Sequence, residues 1–107
     1  MMNILLVAEF RNGNLLGSNN ELIGFAQKIG AESSMFLVGD SALLPPFDGT
    51  LYLADASTYG EFNPDVHKEL LLSVIATVKP DMVVFSHSSY GWDLAPRIGF
   101  ALNAAQI

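Results

Sequence analysis

The sequence predicts an α/β fold, a three-layer sandwich in which a mainly parallel sheet carries helices on both faces. Three observations lead there. Four short runs, Ile4–Ala8, Met35–Val38, Leu51–Ala54 and Met82–Phe85, are apolar throughout instead of alternating, as strands buried on both faces are. Stretches with helical spacing of apolar residues are interleaved with them, the pattern that produces a parallel sheet. A chain of 107 residues, half of them apolar, suits one domain and is short for two.

The first run ends in a polar stretch, Glu9 to Ser18, that contains Gly13 and Gly17 and reads as a loop. Ser18 stands three residues before Glu21, the spacing of a capping box. Leu22, Phe25, Ala26 and Ile29 then fall on one helical face, and Gly30 supplies a left-handed stop. Between the second and third strands, Ser41 to Gly49 holds Pro45-Pro46 and Asp48-Gly49, which leaves room for no more than a helical turn. A second long helix starts with Asn63 as N-cap and Pro64 at its first position. Its apolar stripe is Val66, Leu70, Leu71, Val74, Ile75 and Val78, and Pro80 marks the exit. After the fourth strand, Ser86 to Asp93 is polar, and Leu94, Ile98, Ala101, Leu102 and Ala105 line a last helix. The chain stops at Gln106-Ile107 without another strand to return to the sheet, which reads as a fragment or as a piece whose open edge something else covers.

Right-handed crossovers give a strand order of 3-2-1-4, which reverses between the first and fourth strands. In open parallel sheets a ligand crevice lies at that reversal, beyond the carboxyl ends of the strands. The loops Glu9–Ser18 and Ser86–Asp93 would face each other there.

Charge excludes several partners. Eleven Asp and Glu stand against five basic residues, Arg11, Lys28, Lys68, Lys79 and Arg97, scattered along the chain. Nucleic acid or an anionic membrane would need clustered positive charge. The absence of cysteine removes disulfides, thiolate metal sites and thiol nucleophiles. Met1 and Met2 run almost directly into Asn3–Ala8 with neither a basic n-region nor a presequence, and no apolar run spans a bilayer. A cytoplasmic location without membrane insertion is the expectation.

Candidate contact residues in the crevice are Arg11, Ser88, Ser89, Gly91, Trp92, Asp93 and Arg97. No Gly-rich phosphate string occurs. Ser88-Ser89-Tyr90-Gly91 ahead of a helix could hold an anion through hydroxyls and backbone N–H groups, or Ser89 or Asp93 could simply cap the helix. Asp93 and Arg97, four apart, suit a local ion pair if Asp93 opens the helix. Trp92 is either packed under its loop or offered to a partner, with Tyr90, Phe62 or Tyr59 completing an aromatic patch. His87 between serines lacks a third residue to orient it for nucleophilic catalysis, and His67 with His87 makes a weak metal site. Neither a catalytic residue nor a metal is assigned.

Gly91-Trp92-Asp93-Leu94-Ala95-Pro96-Arg97 resembles the G-R-D-L-A-P-R string after the fourth strand of electron transfer flavoprotein alpha subunits. Ile4–Glu9 with Arg11-Asn12-Gly13, Glu21–Gly24 with Ala26–Gly30, and Lys79–Phe85 are similar to the family's first strand, first helix and fourth-strand approach. Trp92 stands where the family has Arg, and Ser41–Gly49 is shorter than its second helical segment.

The resemblance implies an adenine nucleotide alpha hydrolase-like fold, with residues 1–107 forming the single N-terminal domain of an alpha subunit and the C-terminal FAD-binding domain absent. FAD belongs to the full-length complex and not to this piece, and AMP to the partner subunit. The implied partners are the beta subunit, the flavin domain of its own subunit, and dehydrogenases that pass electrons toward a quinone-linked acceptor. The implied role is scaffold and docking surface without catalysis. The alternative is a stand-alone adenine-nucleotide-binding domain.

Overall fold

A computed structural model describes residues 3–11, 13–15, 18–45, 47, 49–61, 63–85 and 89–102. The side chains of 14, 15, 18, 89, 90, 92 and 100–102 lie outside that description. The elements are β1 (Asn3–Val7), β2 (Phe10–Arg11), β3 (Asn14–Leu15), α1 (Ser18–Ile29), β4 (Glu32–Gly39), β5 (Thr50–Asp55), α2 (Ala56–Tyr59), α3 (Pro64–Val78), β6 (Met82–Phe85) and α4 (Ser89–Leu102).

The main sheet is parallel in every pairing and runs β5-β4-β1-β6. For the four long strands this is the arrangement 3-2-1-4. The numbering differs because a two-stranded antiparallel hairpin, β2–β3, sits in the segment expected to be a plain loop. Its turn passes through Gly13 at φ 76, a left-handed conformation that glycine adopts without a Cβ clash. Two-residue strands are too short to leave an alternating pattern in a sequence.

Alternate residues of the inner strands point to opposite layers. Ile4, Leu6, Met35 and Leu37 pack with Leu22 and Ala26 of α1. Leu5, Val7, Phe36 and Val38 pack with Leu71 of α3 and Leu94 and Ile98 of α4. Both layers are closed to water at the centre, Leu5, Leu6, Leu37, Leu71 and Leu94 each having 0% exposure.

Burial of all four strands on both faces does not hold. β5 and β6 are the edges, and their residues are mostly half-buried, with Leu53 and Met82 exposed. The buried stripe of α1 is also narrower than its spacing suggests. Leu22 and Ala26 face the sheet, while Phe25 and Ile29 remain 40% and 45% exposed. Among the described residues α1 is the only helix contributing fully buried residues to its layer, with Ala56 of α2 partly buried beside it.

The helix ends follow ordinary chemistry. Asn63 accepts the Val66 N–H at 3.4 Å, with Pro64 in the first turn of α3. Gly30 ends α1 at φ 66, and Lys79, also left-handed at φ 52, ends α3 while donating its N–H to Ile75 O. Ser18 is the first residue of α1 rather than the residue flanking it, a shift of the size at which helix ends commonly fray. α4 opens at Ser89 and not at Asp93, which lies inside the helix.

Candidate functional site

Asn19 organises the carboxyl end of β1. Its side-chain carbonyl accepts the Glu9 N–H and its amide donates to Glu9 O, both at 2.8 Å, in a place where Asn19 is 1% exposed. The pair reproduces what a neighbouring strand would offer and ties the first turn of α1 to the chain leaving the sheet. That chain then forms the hairpin. Nothing in the sequence distinguishes Asn19 from Asn20 beside it, which is exposed.

The hairpin is fastened at its far side. Gly13 donates its N–H to Glu61 Oε2 at 2.8 Å, joining the hairpin turn to the connector between α2 and α3. One residue earlier, Gly60 O accepts from His67 Nε2 at 2.8 Å, which places the proton of the neutral ring on Nε2. His67 is 1% exposed, and burial, the dominant influence, pushes its pKa below the usual value despite the bond to Gly60, which acts the other way. It sits by the carboxyl ends of β1 and β4, close to Glu9, Arg11, Val38 and Glu61.

Beside this cluster a cleft of about 390 Å³ opens over the ends of β4 and β5. Phe10 and Gly13 of the hairpin form one wall, and Gly39, Asp40, Asp55, Ala56, Ser57 and Glu61 form the rest. Its carboxylates serve the backbone. Asp40 accepts the Ala42 N–H at 2.9 Å, and Asp55 caps α2 by accepting the Ser57 N–H at 2.9 Å and its hydroxyl at 2.8 Å. Those bonds, the hydroxyl first, hold the Asp55 carboxyl below the ordinary range. Three acidic side chains without a basic one in this lining oppose the entry of phosphate.

The expected crevice lies at the other side of β1, at the reversal between β1 and β6, and the structure describes it in part. Arg11 is half-buried in β2, just beyond the carboxyl end of β1. Ser88 lies outside the described residues, with Ser86 and His87. Ser89 and Trp92 belong to the first turn of α4, but their side chains, and that of Tyr90, lie outside the description. Gly91 is buried in the same turn. Of the other aromatic candidates, Tyr59 is 38% exposed and Phe62 lies outside the described residues.

Asp93 and Arg97 do meet, with Arg97 Nε to Asp93 Oδ1 at 3.3 Å, although both are inside α4. The shorter contact of Arg97, 2.8 Å from Nη1 to Asp65 Oδ1, reaches α3. The arginine thus bridges two helices, with the buried Leu94 and Ile98 below it. Sequence spacing pointed to the pair within α4 and gave no hint of Asp65, thirty-two positions away.

Among the described residues no group of three or more His, Asp or Glu side chains is placed to hold a metal ion. Nor is any helix among them long and apolar enough to cross a membrane.

Comparison with known proteins gives a family match over nearly the whole chain. The model of the electron transfer flavoprotein domain matches residues 4–107. The electron transfer flavoprotein subunit alpha of Syntrophomonas wolfei is 27% identical over 104 residues, covering 92% of this chain. The chain spans 33% of the length of that relative.

Proposed function

The chain belongs to the electron transfer flavoprotein domain family, and from that premise we propose that it acts as the scaffold and subunit-interaction domain of an alpha-type subunit in a flavoprotein electron carrier. The family match across residues 4–107 is the observation that carries this reading. In such a carrier the flavin performs the redox chemistry and the protein supplies position and contact, so this chain needs no catalytic residue of its own. Its partners in this reading are a beta subunit, the flavin-binding part of an alpha subunit, and dehydrogenases that load the complex for a quinone-linked acceptor. A cytoplasmic location goes with it.

The described cleft is a poor fit for FAD. Asp40, Asp55 and Glu61 line it, where a pyrophosphate would need N–H groups or cations. FAD is therefore assigned to the remainder of the carrier and not to these residues.

Co-expression with a tagged beta-type subunit tests the proposal. The expected result is one-to-one co-purification, with the chain alone free of flavin and adenine nucleotide. Micromolar binding of AMP or ATP by the isolated chain, combined with failure to capture a beta subunit, would overturn it in favour of the independent binder.

A further inference from the structure

Nothing among the described residues requires a glycine at position 24. It sits in the middle of α1, where glycine is less favourable than alanine, and a Cβ there would meet nothing within 4 Å. On an exposed helix face, a residue without a side chain lets another chain come close.

The residues around Gly24 form a pattern. Positions seven apart differ by only about 20° around a helix, so Glu21 in the first turn and Lys28 in the last lie on one line, about 10 Å apart. That is too far for them to pair with each other. Gly24 and Phe25 fall between them, about 50° to either side of the line. All four are exposed, and the line runs about 130° round the helix from Leu22 and Ala26, which face the sheet. The ion pairs among the described residues use neither Glu21 nor Lys28.

We propose that this face of α1 docks against the same face of a second copy of the chain, as an antiparallel helix pair with its two-fold axis between positions 24 and 25.

A half-turn about such an axis exchanges the two ends of the helix and its two sides together. Glu21 then lies over Lys28 of the second copy, Lys28 over its Glu21, and each Phe25 over the other copy's Gly24. The large ring meets the position with no side chain, and opposite charges meet twice. A parallel pairing would set like charges together at both ends, so charge selects the direction. Ile29, exposed beside Phe25 on the same flank, adds apolar area at the rim. A second copy is the fitting occupant because one patch carries both halves of the contact. The net charge of -6 on each chain opposes self-association in general, which leaves the local match to choose the face. One helix against one helix is a small contact, so the dimer is weak and depends on concentration. This pairing is additional to the subunit contacts of the carrier and does not rest on them.

The test is sedimentation velocity of the 107-residue chain over concentrations from about 10 µM to about 1 mM, in about 0.15 M salt to screen the net charge. The weight-average sedimentation coefficient should climb from the monomer value toward that of a dimer. Glu21→Lys and Lys28→Glu each place like charges together twice per dimer and should each raise the dissociation constant by about tenfold. Combining the two restores opposite pairs and should bring the constant back to within about threefold of the wild type. Gly24→Gln, for which a single chain has room, should weaken pairing by about tenfold or more while the far-UV circular dichroism spectrum stays helical. A chain that stays monomeric throughout overturns the proposal and leaves the face to another protein. Undiminished pairing in Gly24→Gln also overturns it and moves the contact to another surface, such as the β6 edge. Charge reversals that weaken pairing without recovery in the double variant overturn the antiparallel arrangement. The measurement involves neither a beta subunit nor flavin, so its failure leaves the electron-carrier reading untouched.

Discussion

Asn19→Ala is the substitution from which the structure predicts most. The side chain meets both backbone groups of Glu9 at 2.8 Å in a site 1% exposed. Its removal strands a buried N–H and a buried C=O, each costing about 1–3 kcal/mol. Water entering the vacated space recovers part of that, so the net loss should be about 2–4 kcal/mol. At about 4–8 °C per kcal/mol for a domain of this size, the midpoint of thermal unfolding should drop by at least about 8 °C. Urea unfolding followed by far-UV circular dichroism should show a lower midpoint at unchanged slope. Asn20→Ala is the control, since Asn20 is exposed and its loss should stay within about 0.5 kcal/mol.

Asn19→Asp sharpens the test. An ionised carboxylate still accepts from the Glu9 N–H but sets an oxygen against Glu9 O. Burial and that repulsion raise its native pKa above the unfolded value, so the stabilising, protonated form prevails below the unfolded pKa and is lost as pH rises through the native one. Relative to Asn19→Ala, the aspartate variant should gain stability on acidification. A loss below about 1 kcal/mol for Asn19→Ala, or an equal loss for Asn20→Ala, refutes the reasoning, because the Glu9 groups would then be satisfied without Asn19.

Three further outcomes follow from the packing and the charges. Leu94→Ala empties a fully buried position between α4 and the sheet and should cost about 2–5 kcal/mol in urea unfolding. The Asp65–Arg97 contact is short but exposed on both sides. A double-mutant cycle to alanine should therefore give a coupling of only about 0.2–1 kcal/mol, shrinking as salt is added. Burial lowers the pKa of His67 in the native state, so the unfolded chain takes up its proton first as pH falls below the ordinary value of 6.5. Its contribution is fully present above that value and is lost as pH falls through the native pKa; urea midpoints between about pH 7.5 and about pH 5 should therefore decline less steeply in His67→Gln than in the wild type.

What could be read from the sequence was set by how many residues each feature spreads over. Four apolar runs, a capped helix at Asn63-Pro64 and a glycine stop at Gly30 each rest on several residues obeying one local rule, and the strand order follows from chirality. The hairpin failed to show because two paired residues on each side carry no period. Phe25 and Ile29 have the same spacing as Leu22 and Ala26, yet they stay exposed, since periodicity says which residues share a face and not how much protein lies over it. His67 stood out in the sequence only as half of a weak metal site with His87, and its bond to Gly60, seven positions back, left no sign there. Arg97 was legible in its pairing with Asp93 and illegible in its reach to Asp65, a contact that depends on how α3 and α4 pack.

The two faces of the sheet are covered by unequal means, and this bears on the scaffold reading. Leu71, Leu94 and Ile98 from two helices close one face. On the other, α1 is the only helix with fully buried residues in the layer among those described, and the stretch between β4 and β5 does part of a second helix's work, with Phe47 packed against the core. Gly49 makes that possible. A Cβ there would meet Ser33 O at 2.5 Å and the Phe47 ring at 2.7 Å, so a larger residue would lift the segment off the strand. At the β6 edge the described residues offer no such substitute. Val84 is half-buried on the α1 side, and Met82, two residues earlier on the same side, is 38% exposed. A short apolar edge strand with neither charge nor proline in it is a liability for a free-standing binder, because it invites pairing with other chains. For a domain whose task is to sit against more protein, the same edge is a place to be covered. The asymmetry therefore speaks for the scaffold over the independent nucleotide binder, on grounds separate from the family match.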